Sequence, residues 1–299
     1  MTPGQNAATS PTTVQEVADF YEYKTQAVLR RYGPGPRVHY RTGFADEVIP
    51  ATTSAGLRRQ IVASQERVLQ YAGDFWQVRH VPFLDVLDVG CGLGGGAIFW
   101  AQEFGASVTA ATIAPSHVEL VAKFAAQAGV GALVHPILCD ASAVPGESCF
   151  DAALALDSSD TFPRAPWFRR AAALLRPGGR VFIYDCFLER PEYAEPINRH
   201  WCAQIGTLDE YFDAARDAGL EPDLLEDVSA RTREFWTLTI ALAEVEKRDE
   251  VLNSWESARL KESLEVHRLV RQGLYDGGLR YALMSFVKPI AGKKKRDLT

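Results

Sequence analysis

From residue 14 to about residue 31 apolar side chains recur at helical spacing, at Val14, Val17, Phe20, Tyr21, Ala27 and Val28. Gly33-Pro34-Gly35-Pro36 then breaks the pattern, so a helix followed by a rigid turn is expected. A second helix is expected over about 55–72, carried by Leu57, Ile61, Val62, Val68 and Leu69. Beyond Phe83 the period changes. Short β-rich runs at 84–89, 107–112, 134–138, 152–156 and 180–185 alternate with helical stretches over about 95–104, 115–127 and 167–174. That alternation predicts βαβ units in an α/β fold built on a doubly wound, mostly parallel sheet. A helix over about 208–218 and strands at 221–228 and 281–287 complete the pattern. The stretch 232–274 is helical and too long for a simple connection, so a helical cap is expected before the last strand. The expected divisions are a disordered N-terminus (1–13), an N-terminal helical lid (14–80), the α/β core (81–229), the inserted cap (230–280), the final strand (281–290) and a basic disordered tail (291–299).

With 47% hydrophobic residues the chain can bury a large core, which excludes wholesale disorder. Its 38 acidic and 32 basic residues give a net charge of −6, which argues against a nucleic-acid partner. The one tight basic cluster, Lys293 to Arg296, lies in the tail and reads as solvated. No segment is apolar enough for a membrane span, and the start lacks the features of a secretory signal, so a soluble cytoplasmic protein is expected. Five scattered cysteines without a CxxC pair favour neither a disulfide framework nor a zinc site.

Candidate chemistry begins at Asp88-Val89-Gly90-Cys91-Gly92-Leu93-Gly94-Gly95-Gly96, a glycine cluster at a strand-to-helix junction where missing side chains let a ligand approach the backbone. A nucleoside is the expected ligand. Gly90, Gly92 and Gly95 also spell GxGxxG, the loop of a nicotinamide-dependent oxidoreductase. Two features weigh against that alternative. Asp88 suits a cationic ligand better than a pyrophosphate, and Thr112 stands where a dinucleotide fold usually carries an acidic ribose ligand.

The loop, Cys139-Asp140-Ala141 and Leu175-Arg176-Pro177-Gly178-Gly179-Arg180, in that order and spacing, resemble the class I S-adenosylmethionine (SAM) dependent methyltransferases over about 21–288. Within that family, Thr112-Ile113-Ala114-Pro115-Ser116-His117 is similar to the small-molecule branch of sterol, tocopherol and prenyl diphosphate methyltransferases, with His117 in place of the usual Gln. The resemblance implies a Rossmann-like core with SAM as cofactor and S-adenosylhomocysteine (SAH) as product. Gly90, Gly92 and Gly94 would line the cofactor, with Thr112 and Ile113 at the ribose and adenine and His117 near them. Asp140, beside Ala141, would accept from the adenine amino group, and Asp88 would orient the loop or the methionine amino group.

Phe20-Tyr21-Glu22-Tyr23-Lys24-Thr25 and Val38-His39-Tyr40-Arg41-Thr42-Gly43-Phe44 resemble the lid of the same branch, which makes Tyr21 and Tyr40 candidates for the methionine end. Packing in the core is the competing reading for Tyr21. Asp157 ends the fourth strand, where relatives carry a carboxylate that stabilises a carbocation or removes its proton; capping of the next helix competes. His39, expected to face the cleft, and His200 are the other candidate catalytic groups, with packing the competing role for His200.

Phe162, Trp167, Phe168, Phe187, Tyr193, Trp201, Tyr211, Phe235 and Trp236 supply aromatic faces for a hydrophobic small-molecule acceptor. Were it a diphosphate, Arg37, Arg41, Arg164 and Arg199 are the cations to bind it, although no DDxxD-type magnesium motif is present. The expected reaction is C-methylation of an isoprenoid-like natural product, with O- or N-methylation as the alternative and a homodimer as the expected assembly.

Overall fold

The computed structural model describes residues 13–46, 53–249 and 254–290, with backbone alone for 249 and 254–258. The basic tail and all but the last residue of the expected N-terminal segment lie outside the described residues. Seven strands form one sheet: β1 (Asp85–Val89), β2 (Ser107–Thr112), β3 (Val134–Leu138), β4 (Phe150–Leu156), β5 (Leu175–Leu188), β6 (Glu221–Asp227) and β7 (Leu279–Val287). Their spatial order is β3-β2-β1-β4-β5-β7-β6, parallel except for β7, which runs antiparallel between β5 and β6. Strands covered on both faces must be apolar throughout, and β4 is buried at every position. Alternate residues feed two cores: Val86, Val108, Leu154 and Phe182 face one side of the sheet, and Leu87, Ala153, Val181 and Ile183 the other.

The helices are α1 (Val14–Tyr32), α2 (Ser54–Phe75), α3 (Gly95–Phe104), α4 (Pro115–Gln127), α5 (Arg164–Leu174), α6 (Ala194–Trp201), α7 (Leu208–Asp217), α8 (Ser229–Asp249) and α9 (Ser254–Asp276). Local chemistry sets their ends. Thr13 and Glu16 make a reciprocal capping box at the start of α1, with Arg30 and Arg31 in its last turn. Pro115 opens α4, and glycines in the left-handed region bracket α3, Gly94 before it and Gly105 after it. Two helices, α8 and α9, fill the long connection before β7; α8 packs on both α9 and α2. None of the described helices is long and apolar enough to cross a membrane.

Two local expectations change. Pro177-Gly178-Gly179, expected as a turn, lies inside β5, where Gly178 (φ +84°) and a register shift opposite Phe150 mark a bulge. The main chain there still pairs, Gly178 N with Lys288 O and Lys288 N with Gly179 O. Helix α6 was not anticipated. It is one short amphipathic piece, burying only Ile197 and His200.

Strand order reverses at β1 and β4, which opens a crevice at their carboxyl ends. The segments after β1, β2 and β4 meet there beneath α1.

Candidate active site

A cavity of about 180 Å3 occupies that crevice, walled by the loops after β1, β2 and β4, by α1 and the segment after it, and by α6, α8 and α9. Gly90 (φ +68°), Gly92 (φ +54°) and Gly94 (φ +81°) all adopt the left-handed conformation that glycine alone takes without strain. A Cβ on Gly90 would stand 2.5 Å from the Ser158 Cβ, whereas one on Gly92 would meet nothing within 4 Å. Gly90 is therefore fixed by packing and Gly92 by its open face on the cavity; Gly94, against Val121, caps α3 behind it.

At the end of β2, Thr112 and Ile113 line the cavity. The Thr112 Oγ1 accepts from Ala114 N at 3.2 Å and lies 3.5 Å from His117 Nδ1. His117 also lines the cavity, but its Nε2 meets the Thr25 Oγ1 at 2.8 Å, so the ring ties α1 to α4. Burial holds its pKa below the ordinary imidazole value. Tyr21 and Tyr40, 6.4 Å apart in edge contact, form the wall on the α1 side.

Asp140 and Ala141 do not reach the cavity wall; the Asp140 Oδ1 is used in its own turn, accepting from Ser142 N at 2.9 Å and Ser142 Oγ at 2.5 Å. Asp88 sits behind the glycines, with Oδ2 buried and unpartnered, and burial pushes its pKa up to about 6. Arg41 reaches the cavity with Nε and Nη1 buried and unpartnered, and its Nη2 and the Asp88 Oδ2 flank the Gly96 backbone. The Asp88 Oδ2 and the Arg41 Nε and Nη1, without hydrogen-bond partners and near the open Gly92, fit the ammonium, carboxylate and nucleoside of an amino-acid-bearing nucleoside.

His39 is corrected: it does not line the cavity. It is 1% exposed, packs beside Gly95, and bonds through Nε2 to Glu66 Oε1 at 2.9 Å, fixing the post-α1 segment onto α2. Asp157 does line it, in the left-handed region (φ +53°), and caps no helix. Its Oδ2 accepts the Thr42 N–H at 2.5 Å, so the end of β4 holds the segment that carries Arg41. Asp160 and Asp185 line the cavity with it, the latter accepting from Ser159 Oγ at 2.5 Å, Ser159 N at 2.9 Å and Cys186 N at 2.8 Å. Burial, reinforced by the mutual repulsion of the carboxylates, raises Asp157 and Asp160 well above the usual range, and burial brings Asp185 to about 6.

Another part of the lining is aromatic and basic. Of the nine aromatic candidates, Trp201, Phe235 and Trp236 line the cavity; Trp201 and Trp236 stack at 5.9 Å. Phe162, Trp167, Phe168, Phe187, Tyr193 and Tyr211 pack in the cores. His200 and His267 both line the cavity, rings 6.4 Å apart, each with its Nδ1 buried without a hydrogen-bond partner; Glu262 Oε1 stands 3.6 Å from that of His200. Burial lowers His200 to about 4 and His267 well below its ordinary value, so both are neutral at pH 7. Of the four arginines only Arg41 reaches the cavity: Arg37 pairs with Glu66 and Glu103, Arg164 with Glu210, and Arg199 with Glu195. Sequence reasoning missed the roles of Arg41 beside Asp88, of Asp160 and Asp185 on the wall with Asp157, and of His267. The run Asp157-Ser158-Ser159-Asp160 carried a signal for the acidic group; His267, in a helix with no motif, carried none.

Residues 86–179 match the model of a methyltransferase domain. Over 213 residues the chain is 33% identical to 27-O-demethylrifamycin SV methyltransferase of Amycolatopsis mediterranei, covering 68% of this chain and 77% of that one. The chain belongs to the SAM-dependent methyltransferases. It is also 25% identical over 240 residues to geranyl diphosphate 2-C-methyltransferase of Streptomyces lasalocidi, covering 75% of this chain and 79% of that protein. The fold matches a geranyl diphosphate methyltransferase solved with GPP and sinefungin, with TM-score 0.75, 20% identity, and 92% and 98% of the two chains covered. The cofactor of this methyltransferase is SAM, and the oxidoreductase alternative falls.

Proposed function

We propose that this methyltransferase acts on a hydroxyl oxygen of a bulky, largely hydrophobic small molecule held against Trp201, Phe235 and Trp236, with His200 as the base. The observation that carries this reading is the pair of imidazoles on the cavity wall, with His267 in edge contact with Trp236 at 5.2 Å and 6.4 Å from His200. A neutral imidazole accepts a hydroxyl proton, whereas one already charged does not. When bound, SAM supplies an electrophilic methyl group on a sulfonium. Arg41 and Asp88 hold its amino-acid end, and Gly90, Gly92, Thr112 and Ile113 hold its nucleoside. The aromatic wall excludes water and sets the line of approach. His200 takes the proton as the oxygen gains the methyl group, and passes it to solvent when the site opens. The name of the 33%-identical relative, a methyltransferase of an O-demethyl rifamycin, supports an oxygen acceptor.

C-methylation of an isoprenoid-like acceptor is the second reading. It is favoured by Asp157 and Asp160 on the same wall, carboxyls suited to a carbocation beside aromatic faces, and by the geranyl diphosphate relative. SAH release from SAM, measured over a panel of hydroxylated macrocycles, phenols and prenyl diphosphates, separates the two. With a hydroxyl acceptor, His200→Gln is expected to lower kcat by about a hundredfold with SAM affinity unchanged. Turnover confined to prenyl acceptors, lost in Asp157→Asn and retained in His200→Gln, would favour the second reading.

A further inference from the structure

A second cavity of about 170 Å3 adjoins the first between α1, α8 and α9, and the two share Lys24, Val28, Tyr32, Tyr40 and His267. Among the described residues its wall carries Lys24, Arg30, Arg31 and Arg259 but one carboxylate, Glu246. Glu246 is already bound by Arg31 at 2.7 Å and Arg58 at 3.1 Å. Arg259 pairs with Glu262 at 3.1 Å, and Glu262 also stands 3.6 Å from His200 Nδ1. Among the described residues neither Lys24 nor Arg30 has a carboxylate within ion-pair distance; the Lys24 Nζ rests 4.6 Å from the centroid of the Phe20 ring. Among the described residues, Lys24, Arg31 and Arg259, partly buried, and the exposed Arg30 thus meet two carboxylates, Glu246 and Glu262, and the excess sits where the two cavities join. Partly buried cations without counter-charges are costly, and an anion relieves that cost.

We propose that this annex binds an anionic group of the acceptor, a phosphate ester or a carboxylate, while the hydrophobic remainder lies in the first cavity against Trp201 and Trp236. The proposal rests on the reading of that cavity as the acceptor site. Burial and the neighbouring Arg259 and Arg31 depress Lys24 to about 8, as expected of a cation in excess positive charge. Lys24 at the junction orders the two parts of such a ligand: anion outward toward Arg259, apolar body inward.

The test is titration of the SAH-saturated protein at pH 7 with octyl phosphate, octanoate and octanol, which differ only in the head group. At least one anionic probe is expected to bind about tenfold more tightly than octanol, the gain of a charge-assisted contact. Lys24→Met and Arg259→Met, made separately, are each expected to reduce that preference below about threefold, and Arg259→Met, outside the first cavity, to leave octanol affinity unchanged. The probe with the larger gain identifies the head group. Equal binding of all three probes, or a preference that survives both substitutions, overturns the annex. Failure of SAH itself to bind overturns the cofactor assignment instead, so the two failures are distinguishable.

Discussion

Arg41 shows how a residue acquires meaning from what it lacks. Its Nε and Nη1 and the Asp88 Oδ2 are buried without partners, so the protein carries a cost that a zwitterionic ligand removes. Arg41→Met is expected to weaken SAM and SAH by tenfold or more and to leave 5′-methylthioadenosine, which lacks the amino-acid end, within about threefold. Equal losses for all three nucleosides would show a collapsed loop instead. Asp88, held at about 6, is ionised only above that pH. SAM affinity should therefore tighten about tenfold from pH 5 to pH 7.5, and Asp88→Asn should flatten the profile in calorimetric titration. Asp88 was legible in the sequence because it precedes the glycines. Arg41 was legible only as a cation near a lid, since its place beside Asp88 brings together segments far apart in the chain.

At the scale of elements, α1 and the segment that follows it form one wall of the cavity, held by contacts that include Thr25 with His117, His39 with Glu66, and the Thr42 N–H with Asp157. Replacing Thr25 by Val removes a buried hydrogen bond worth about 1 kcal/mol and leaves the His117 Nε2 unpaired. The expected result is a KM for SAM raised several-fold with kcat nearly intact; an unchanged KM would show that α1 closes without this bond. Hydrophobic period and glycine punctuation make the sheet and most helices readable in the sequence. They failed where a strand tolerates a bulge, at Gly178 in β5, and where tertiary packing alone holds a short helix, as in α6. Candidate residues set by local motif, such as Gly90, Gly92 and Thr112, face the cavity. His39 turned out buried because its partner, Glu66, comes from α2 and no local pattern announces it.

Across the whole molecule, buried acids and bases pull stability in opposite directions with pH. Asp185 has a folded pKa of about 6 against 3.8, so its contribution is fully present below 3.8 and is lost as pH rises through about 6. His200, at about 4 against 6.5, contributes fully above 6.5 and loses that contribution as pH falls through about 4. In thermal unfolding, the Tm of Asp185→Asn relative to the unsubstituted protein should move in the variant's favour from pH 4 to pH 7. A difference that does not vary with pH would remove Asp185 from this account.

Because Lys24, Tyr32 and Tyr40 stand on the walls of both cavities, any ligand in one orders part of the other. Such coupling is reciprocal: the factor by which the spent cofactor tightens the acceptor is the factor by which the acceptor retains the spent cofactor. Acceptor in excess therefore traps the enzyme with SAH still aboard, and the rate should pass through a maximum and decline as acceptor concentration rises.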